Sequence, residues 1–164
     1  VENVLETISP SMDIQIASNF ERLIFDLNDH SDKKTIEVMK SIKEKGKYAI
    51  QKESLDKINV DFLSSRMDEN EILNTIKTVY EKFDKVLDPH SAIGYGAFDK
   101  VNLNGNNVVL ATAHPCKFPD AIKKAINIKA ELPDELSFIL DEKENYDIID
   151  NNLNKIKQHI KERI

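Results

Sequence analysis

Cysteine is nearly absent: the single Cys116 excludes an internal disulfide and fits a reducing compartment. Glycine is scarce as well. With four in all, a glycine-rich phosphate loop has nowhere to be, and the close pair Gly94 and Gly96 lacks the third glycine of the dinucleotide pattern. No apolar run approaches the length of a membrane span, and no signal-peptide pattern opens the sequence. Positive charge is in deficit. A net charge of −6 and a pI near 5.3 argue against a nucleic-acid partner, which would favour a basic face. His30, His90, His114 and His159 show no metal-ligand spacing, and one cysteine offers no zinc pair, so no metal is expected. Repeats and low-complexity segments are missing too.

What is present suits one domain: 164 residues, 40% of them hydrophobic, enough for a core. Charged residues make up 32% with both signs interleaved, the pattern of solvated helix faces.

Ser18 with Glu21 three residues on has the form of a capping box, and Phe20, Leu23, Ile24 and Leu27 follow at helical spacing. A helix from about Asn19 to Asn28 is expected, with Phe20 in the core. A second should run from near Asp32 to Lys45 and stop at Gly46. Lys47 to Ile50 reads as a short strand. Asp68 and Glu71 suggest another cap, ahead of an apolar stripe through Ile72, Leu73, Ile76, Val79, Tyr80 and Phe83. After the break at Asp88-Pro89, Ser91 to about Lys100 should be helical. Asn104-Gly105-Asn106 is a turn feeding a buried strand at Val108-Val109-Leu110. Ala121, Ile122, Ala125 and Ile126 give a later helix its buried side, Pro133 can start a short helix, and Ile149, Leu153, Ile156 and Ile160 form a terminal seam. The fold class is α/β, dominated by helices, with few and short strands.

Function points to the end of the Val108-Val109-Leu110 run. Thr112, His114, Cys116 and Lys117 put a hydroxyl, an imidazole, a thiol and an ammonium between that strand and the helix opened by Pro119-Asp120. In open α/β sheets ligands bind outside the carboxyl ends of strands, where the loops diverge.

Asp88, His90 and Ser91 also invite a hydrolase reading. Sequence neighbours rarely have triad geometry, however, and no Gly-x-Ser-x-Gly elbow is present. Asp88 is better read as a turn and helix-start residue, with His90 shaping a pocket rim.

Three segments in register carry a family resemblance: Ser9-Pro10-Ser11-Met12-Asp13-Ile14 running on to Ser18-Asn19-Phe20-Glu21-Arg22, then Leu87-Asp88-Pro89-His90-Ser91-Ala92, then Thr112-Ala113-His114-Pro115-Cys116-Lys117-Phe118. Together they resemble the C-terminal part of threonine synthase, a pyridoxal-phosphate enzyme of fold type II, in its bacterial and fungal branch. Ser91 stands where that family usually has Thr, and Cys116 where it usually has Ala, so the sulfur is expected to do no chemistry.

The resemblance implies the C-terminal part of a large catalytic domain with a tryptophan-synthase-β-like fold, residues 1–164 holding a few strands of an incomplete sheet. The family's cofactor lysine, in a Ser-Phe-Lys-Asp segment, and its Gly-Asn-Phe-Gly-type phosphate loop match nothing here. By that implication the piece alone is inactive, contains no Schiff-base lysine, does not hold pyridoxal phosphate by itself, and has the missing N-terminal portion as its intramolecular partner. The whole enzyme would convert O-phospho-L-homoserine and water to L-threonine and phosphate, in the cytoplasm.

Thr112 is implied to face the cofactor's ring nitrogen with a neutral hydroxyl. For His114, shaping the turn before Pro115 and a direct catalytic part both stand. Lys117 could greet a phosphate or simply face solvent. Asn19 and Arg22, near a helix N-terminus that favours anions, could touch substrate, or Arg22 could form an internal salt bridge. Another fold type II enzyme with a different substrate and a non-catalytic helical binding module are the alternatives.

Overall fold

The computed structural model describes residues 5–101 and 103–164. These fall into two units, one ending at Glu131 and the other spanning Leu132–Ile164.

In the first unit the core is built on one helix. Asp68 opens it with the expected capping box: its side chain accepts from the Glu71 amide while the Glu71 carboxylate takes the Asp68 amide. The helix, α4 of the chain (Glu69–Phe83), buries Ile72, Ile76 and Val79 on one stripe. Two helices pack on that stripe. One is α5 (Pro89–Val101), whose Ala92 and Gly96 let it approach closely; the other is α6 (Pro119–Ile126), which contributes Ala121 and Ile122. Ile72, Ile76, Ala92 and Ile122 form the buried centre, with Ile8, Met67, Leu87 and Ile126 packed around it. Fully burying such side chains is worth about 1.5–3 kcal/mol each, which makes this cluster the main source of stability.

Ahead of α4 lie α1 (Ser18–Leu27), α2 (Asp32–Lys45) and α3 (Lys52–Asp61). The pair α1 and α2 pack through Ile24, Thr35 and Val38. Ser31 caps α2, and Gly46 ends it at φ 69°, a left-handed conformation that only glycine adopts without strain. In the second unit a 3-10 stretch, Asp134–Leu140, follows Pro133, and α7 (Leu153–Lys161) is capped by Asn152.

Several sequence expectations fail here, each for a physical reason. Ser18 is the first helical residue, with Ala17 in the cap position and no side-chain cap, so the capping box at Ser18 and Glu21 does not form. Phe20 is 42% exposed and is no core residue of the described chain. Lys47 to Ile50 has no strand partner, and the helix after it, α3, was not anticipated because it buries no residue. The Val108-Val109-Leu110 run is not paired in a ladder either, and Val108 is 86% exposed; no strand is assigned among the described residues. The seam of Leu153, Ile156 and Ile160 lies on α7 but stays exposed, while Ile149 precedes the helix.

Candidate functional site

Asp88 starts α5 as its cap. Its carbonyl takes the Ala92 amide, Pro89 occupies the first helical position, and the carboxylate turns back to accept the His90 amide at 2.9 Å. That carboxylate is fully buried, and a buried carboxylate is tolerated only when its lone pairs are taken. Here they are. His90 Nδ1 lies 3.1 Å from Oδ1, and Ser91 Oγ donates to Oδ2.

The network extends in both directions. Ser91 Oγ accepts the Thr112 amide at 2.9 Å, and Thr112 Oγ1 lies 3.5 Å from it. On the other side His90 Nε2 accepts the Ser11 amide at 3.2 Å. An amide can only donate, so Nε2 must be the acceptor and the imidazole proton sits on Nδ1, directed at Asp88. The Phe118 ring rests against His90 at 4.8 Å between centroids. Thr7 holds the Ser11 loop in shape, with amide and hydroxyl both donating to Asp13. One buried carboxylate thus joins a loop near the start of the chain to a segment a hundred residues later.

Two cavities flank this network. One, of about 600 Å³, is lined by Val86, Asp88, Ser91, Ala113, His114 and the 128–131 segment. The second, of about 540 Å³, is lined by Met12, His90, Ile93, Gly94, Val109 and Thr112, among others, and none of its lining residues carries a formal charge unless His90 is protonated. Thr112 is exposed on the wall of this second cavity.

The structure therefore brings Thr112 and His90 together, with His114 on the adjoining cavity. His114 Nδ1 accepts the Cys116 amide at 3.2 Å and caps the 3-10 turn Pro115–Lys117, the turn-shaping role. Lys117 is exposed and lines neither cavity. Asn19 and Arg22 lie exposed on α1, also away from both. Asn19 Oδ1 accepts the Phe20 amide, and among the described residues Arg22 forms no salt bridge. Sequence reasoning missed Asp88 and Ser91 as a connecting pair, because a helix cap already accounted for the aspartate. The signal was there: an Asp with Ser three residues on can bond to a hydroxyl as well as to an amide.

The hydrolase reading fails on this geometry. Ser91 and His90 both bond to Asp88 and not to each other, so no imidazole stands beside the hydroxyl to act as the triad's base. Among the described residues no group of His, Cys, Asp and Glu is arranged to hold a metal ion, and no helix is long and apolar enough to cross a membrane.

The segment that carries Ser91, Thr112 and His114 matches a known family over residues 91–160, described as threonine synthase, C-terminal. Over these residues the chain is similar to the threonine synthase C-terminal family. The chain is 35% identical over 157 residues to the threonine synthase of Pseudomonas aeruginosa, a match covering 94% of this chain and 34% of that protein. To the threonine synthase of Saccharomyces cerevisiae it is 34% identical over 160 residues, covering 82% of this chain and 31% of the other. A crystal structure of pyridoxal-phosphate-bound threonine synthase from Brucella melitensis superposes with a TM-score of 0.82 at 37% identity, covering 98% of this chain and 35% of that one. The chain spans about a third of the length of the curated relatives it matches. Its helix-dominated fold is that of part of a threonine synthase.

Proposed function

We propose that this chain is the C-terminal part of the catalytic domain of a threonine synthase that converts O-phospho-L-homoserine and water to L-threonine and phosphate with pyridoxal phosphate. The observation that carries the reading is the Thr112 hydroxyl, on the wall of a neutral cavity, with its backbone held by Ser91. A flat heterocycle suits a lining of apolar and uncharged side chains, and a neutral hydroxyl suits its ring nitrogen. The same cavity has no cationic cradle for a phosphate, which fits a phosphate loop and a Schiff-base lysine supplied by the N-terminal portion as intramolecular partner. When bound, pyridoxal phosphate serves as an electron sink for the substrate.

The chain's own residues position and shape. Thr112 Oγ1 would meet the ring nitrogen, where a hydroxyl, unlike a carboxylate, does not demand a proton on that nitrogen. His90 holds its proton at Nδ1 and spends both ring nitrogens on protein groups, so it packs the site and moves no proton. His114 keeps Nε2 as a donor beside the first cavity, because Nδ1 is taken by the Cys116 amide. Asn19 and Arg22 would reach substrate only from α1, and Lys117 would meet a phosphate only at the surface. Val108 to Leu110 would be a strand of a sheet whose neighbours come from the N-terminal portion. The cytoplasm is the compartment this biosynthetic reading implies.

The test is turnover by the whole enzyme that contains this sequence. With pyridoxal phosphate bound, it should release phosphate from O-phospho-L-homoserine and form threonine. Turnover of serine or cystathionine in its place would assign the chain to a different enzyme of the same fold.

A further inference from the structure

We infer that Asp88 and Ser91 are positioning residues for Thr112, acting as a one-way chain of hydrogen bonds that fixes the Thr112 backbone where its hydroxyl can meet the cofactor's ring nitrogen. The inference rests on the reading of Thr112 as the group facing the cofactor's ring nitrogen.

Directionality follows from the donors. The His90 amide is an obligate donor, so Asp88 Oδ1 must accept it, and His90 Nδ1 adds a second donor at the same oxygen. Oδ2 then takes the hydrogen of Ser91 Oγ. With its hydrogen committed inward, Ser91 can only accept on its outer side, and it accepts the Thr112 amide at 2.9 Å. Thr112 Oγ1 lies 3.5 Å away and receives nothing from Ser91. In any bond at that length the threonine is the donor and Ser91 the acceptor, a weak contact that leaves the one hydroxyl hydrogen for an unprotonated ring nitrogen to compete for. Burial keeps this order intact, since Asp88 is 1% and Ser91 2% exposed and water cannot compete for either.

Reversing the chain is possible with one atom. In Asp88→Asn the amide oxygen must stay against the His90 amide, so the –NH2 falls opposite Ser91 and donates to it. The Ser91 hydrogen then turns outward to Thr112 Oγ1, which can accept it and still donate its own, so the order of the chain reverses while the bond to the Thr112 amide stays. Ser91→Ala instead removes the link and frees the Thr112 amide.

The experiment uses the pyridoxal-phosphate-loaded whole enzyme, comparing its absorption spectrum across pH, kcat and KM, and hydrogen exchange at the Thr112 amide. Losing the bond to the Thr112 amide predicts kcat lower by about ten- to a hundredfold in Ser91→Ala, with KM nearly unchanged, and Asp88→Asn, which keeps that bond, should fall less. Ser91→Ala should displace the pH titration of the cofactor band in the direction produced by Thr112→Val, and Asp88→Asn should displace it less. Faster exchange at Thr112 is expected in Ser91→Ala, and Ser91→Thr, which keeps the hydroxyl, should restore the band. A normal band and kcat in Ser91→Ala, with both altered in Thr112→Val, would overturn the relay while leaving the cofactor reading in place. A band indifferent to Thr112→Val would remove that reading and the relay with it.

Discussion

Gly96 faces Met67 so closely that a β-carbon built on the glycine would fall 2.4 Å from the thioether sulfur and its methyl. Thr75 Oγ1, at 3.1 Å, closes the other side and is itself tied to the Glu71 carbonyl. This contact is what lets α5 lie flat on α4. Alanine at 96 would gain about 1 kcal/mol of helix propensity but force Met67 aside, an overpacking cost of about 1–3 kcal/mol. Both close atoms belong to the tip of a flexible side chain that can swing, so Gly96→Ala is expected to lie near neutral and Gly96→Val, with its larger side chain, to be net destabilising. Met67→Ala should rescue much of the loss, so the pair gives a non-additive double-mutant cycle in urea unfolding. Additive effects would show that the two residues do not meet.

Lys100 near the end of α5 reaches Glu71 near the start of α4, Nζ to Oε1, at 2.6 Å. The lysine's hydrogen bond, then the Asp68 amide in the capping box, hold the Glu71 carboxyl below its ordinary value. A group with a lowered folded pKa binds fewer protons folded than unfolded, so it stabilises above the unfolded pKa. That contribution disappears as pH falls from the ordinary carboxylate range down through the folded value. Glu71→Gln should flatten this acid limb of a denaturation-midpoint profile. Both side chains are about two-fifths exposed, so added salt should shrink the difference between the variants.

How much of this was legible beforehand depended on whether an element carries its own stop signals and burial. Helix α2 ends where Gly46 predicts and α4 begins where Asp68 and Glu71 predict, because caps are local chemistry. Helix α3 has neither a side-chain cap nor a buried face, so periodicity had nothing to register. At Ser18 the capping pattern was present, but the chain turned one residue earlier and spent the position on Ala17. The Val108 run reads as a strand from its residues alone, yet a strand exists only with a neighbour, and none of the described residues provides one. In the site, Thr112 and His90 came from the motifs. The Asp88 to Ser91 to Thr112 chain did not, because it spans 21 residues of sequence separation between its last two members.

Two large apolar residues that look alike in sequence should behave differently when truncated. Ile122 is fully buried among Ile72, Ile76 and Ala92, so Ile122→Ala is expected to cost about 2–5 kcal/mol. Phe20 is 42% exposed, and Phe20→Ala in this chain should change stability by no more than about 0.5 kcal/mol. Chemical denaturation of the two variants side by side checks the assignment. A large loss at Phe20 would mean that α1 packs its aromatic inward.

The final prediction concerns the extended run beside Thr112. Val108 and Leu110 are 86% and 74% exposed, on adjacent alternate positions, and their backbone makes no ladder bonds. An apolar edge of this kind is a template for pairing with another chain, and natural sheets protect such edges with charge or cover. The 164-residue chain by itself should bind an apolar dye and sediment in a concentration-dependent way. Val108→Lys with Leu110→Lys should make it monodisperse, since lysine on an edge opposes pairing and leaves the α4 core untouched. The same double substitution in the whole enzyme should instead impair folding, because there the run is proposed to lie inside a sheet. Whole enzyme that tolerates both lysines with normal stability would show that the run faces water in the intact protein as well, and the proposed sheet would have to be drawn without it.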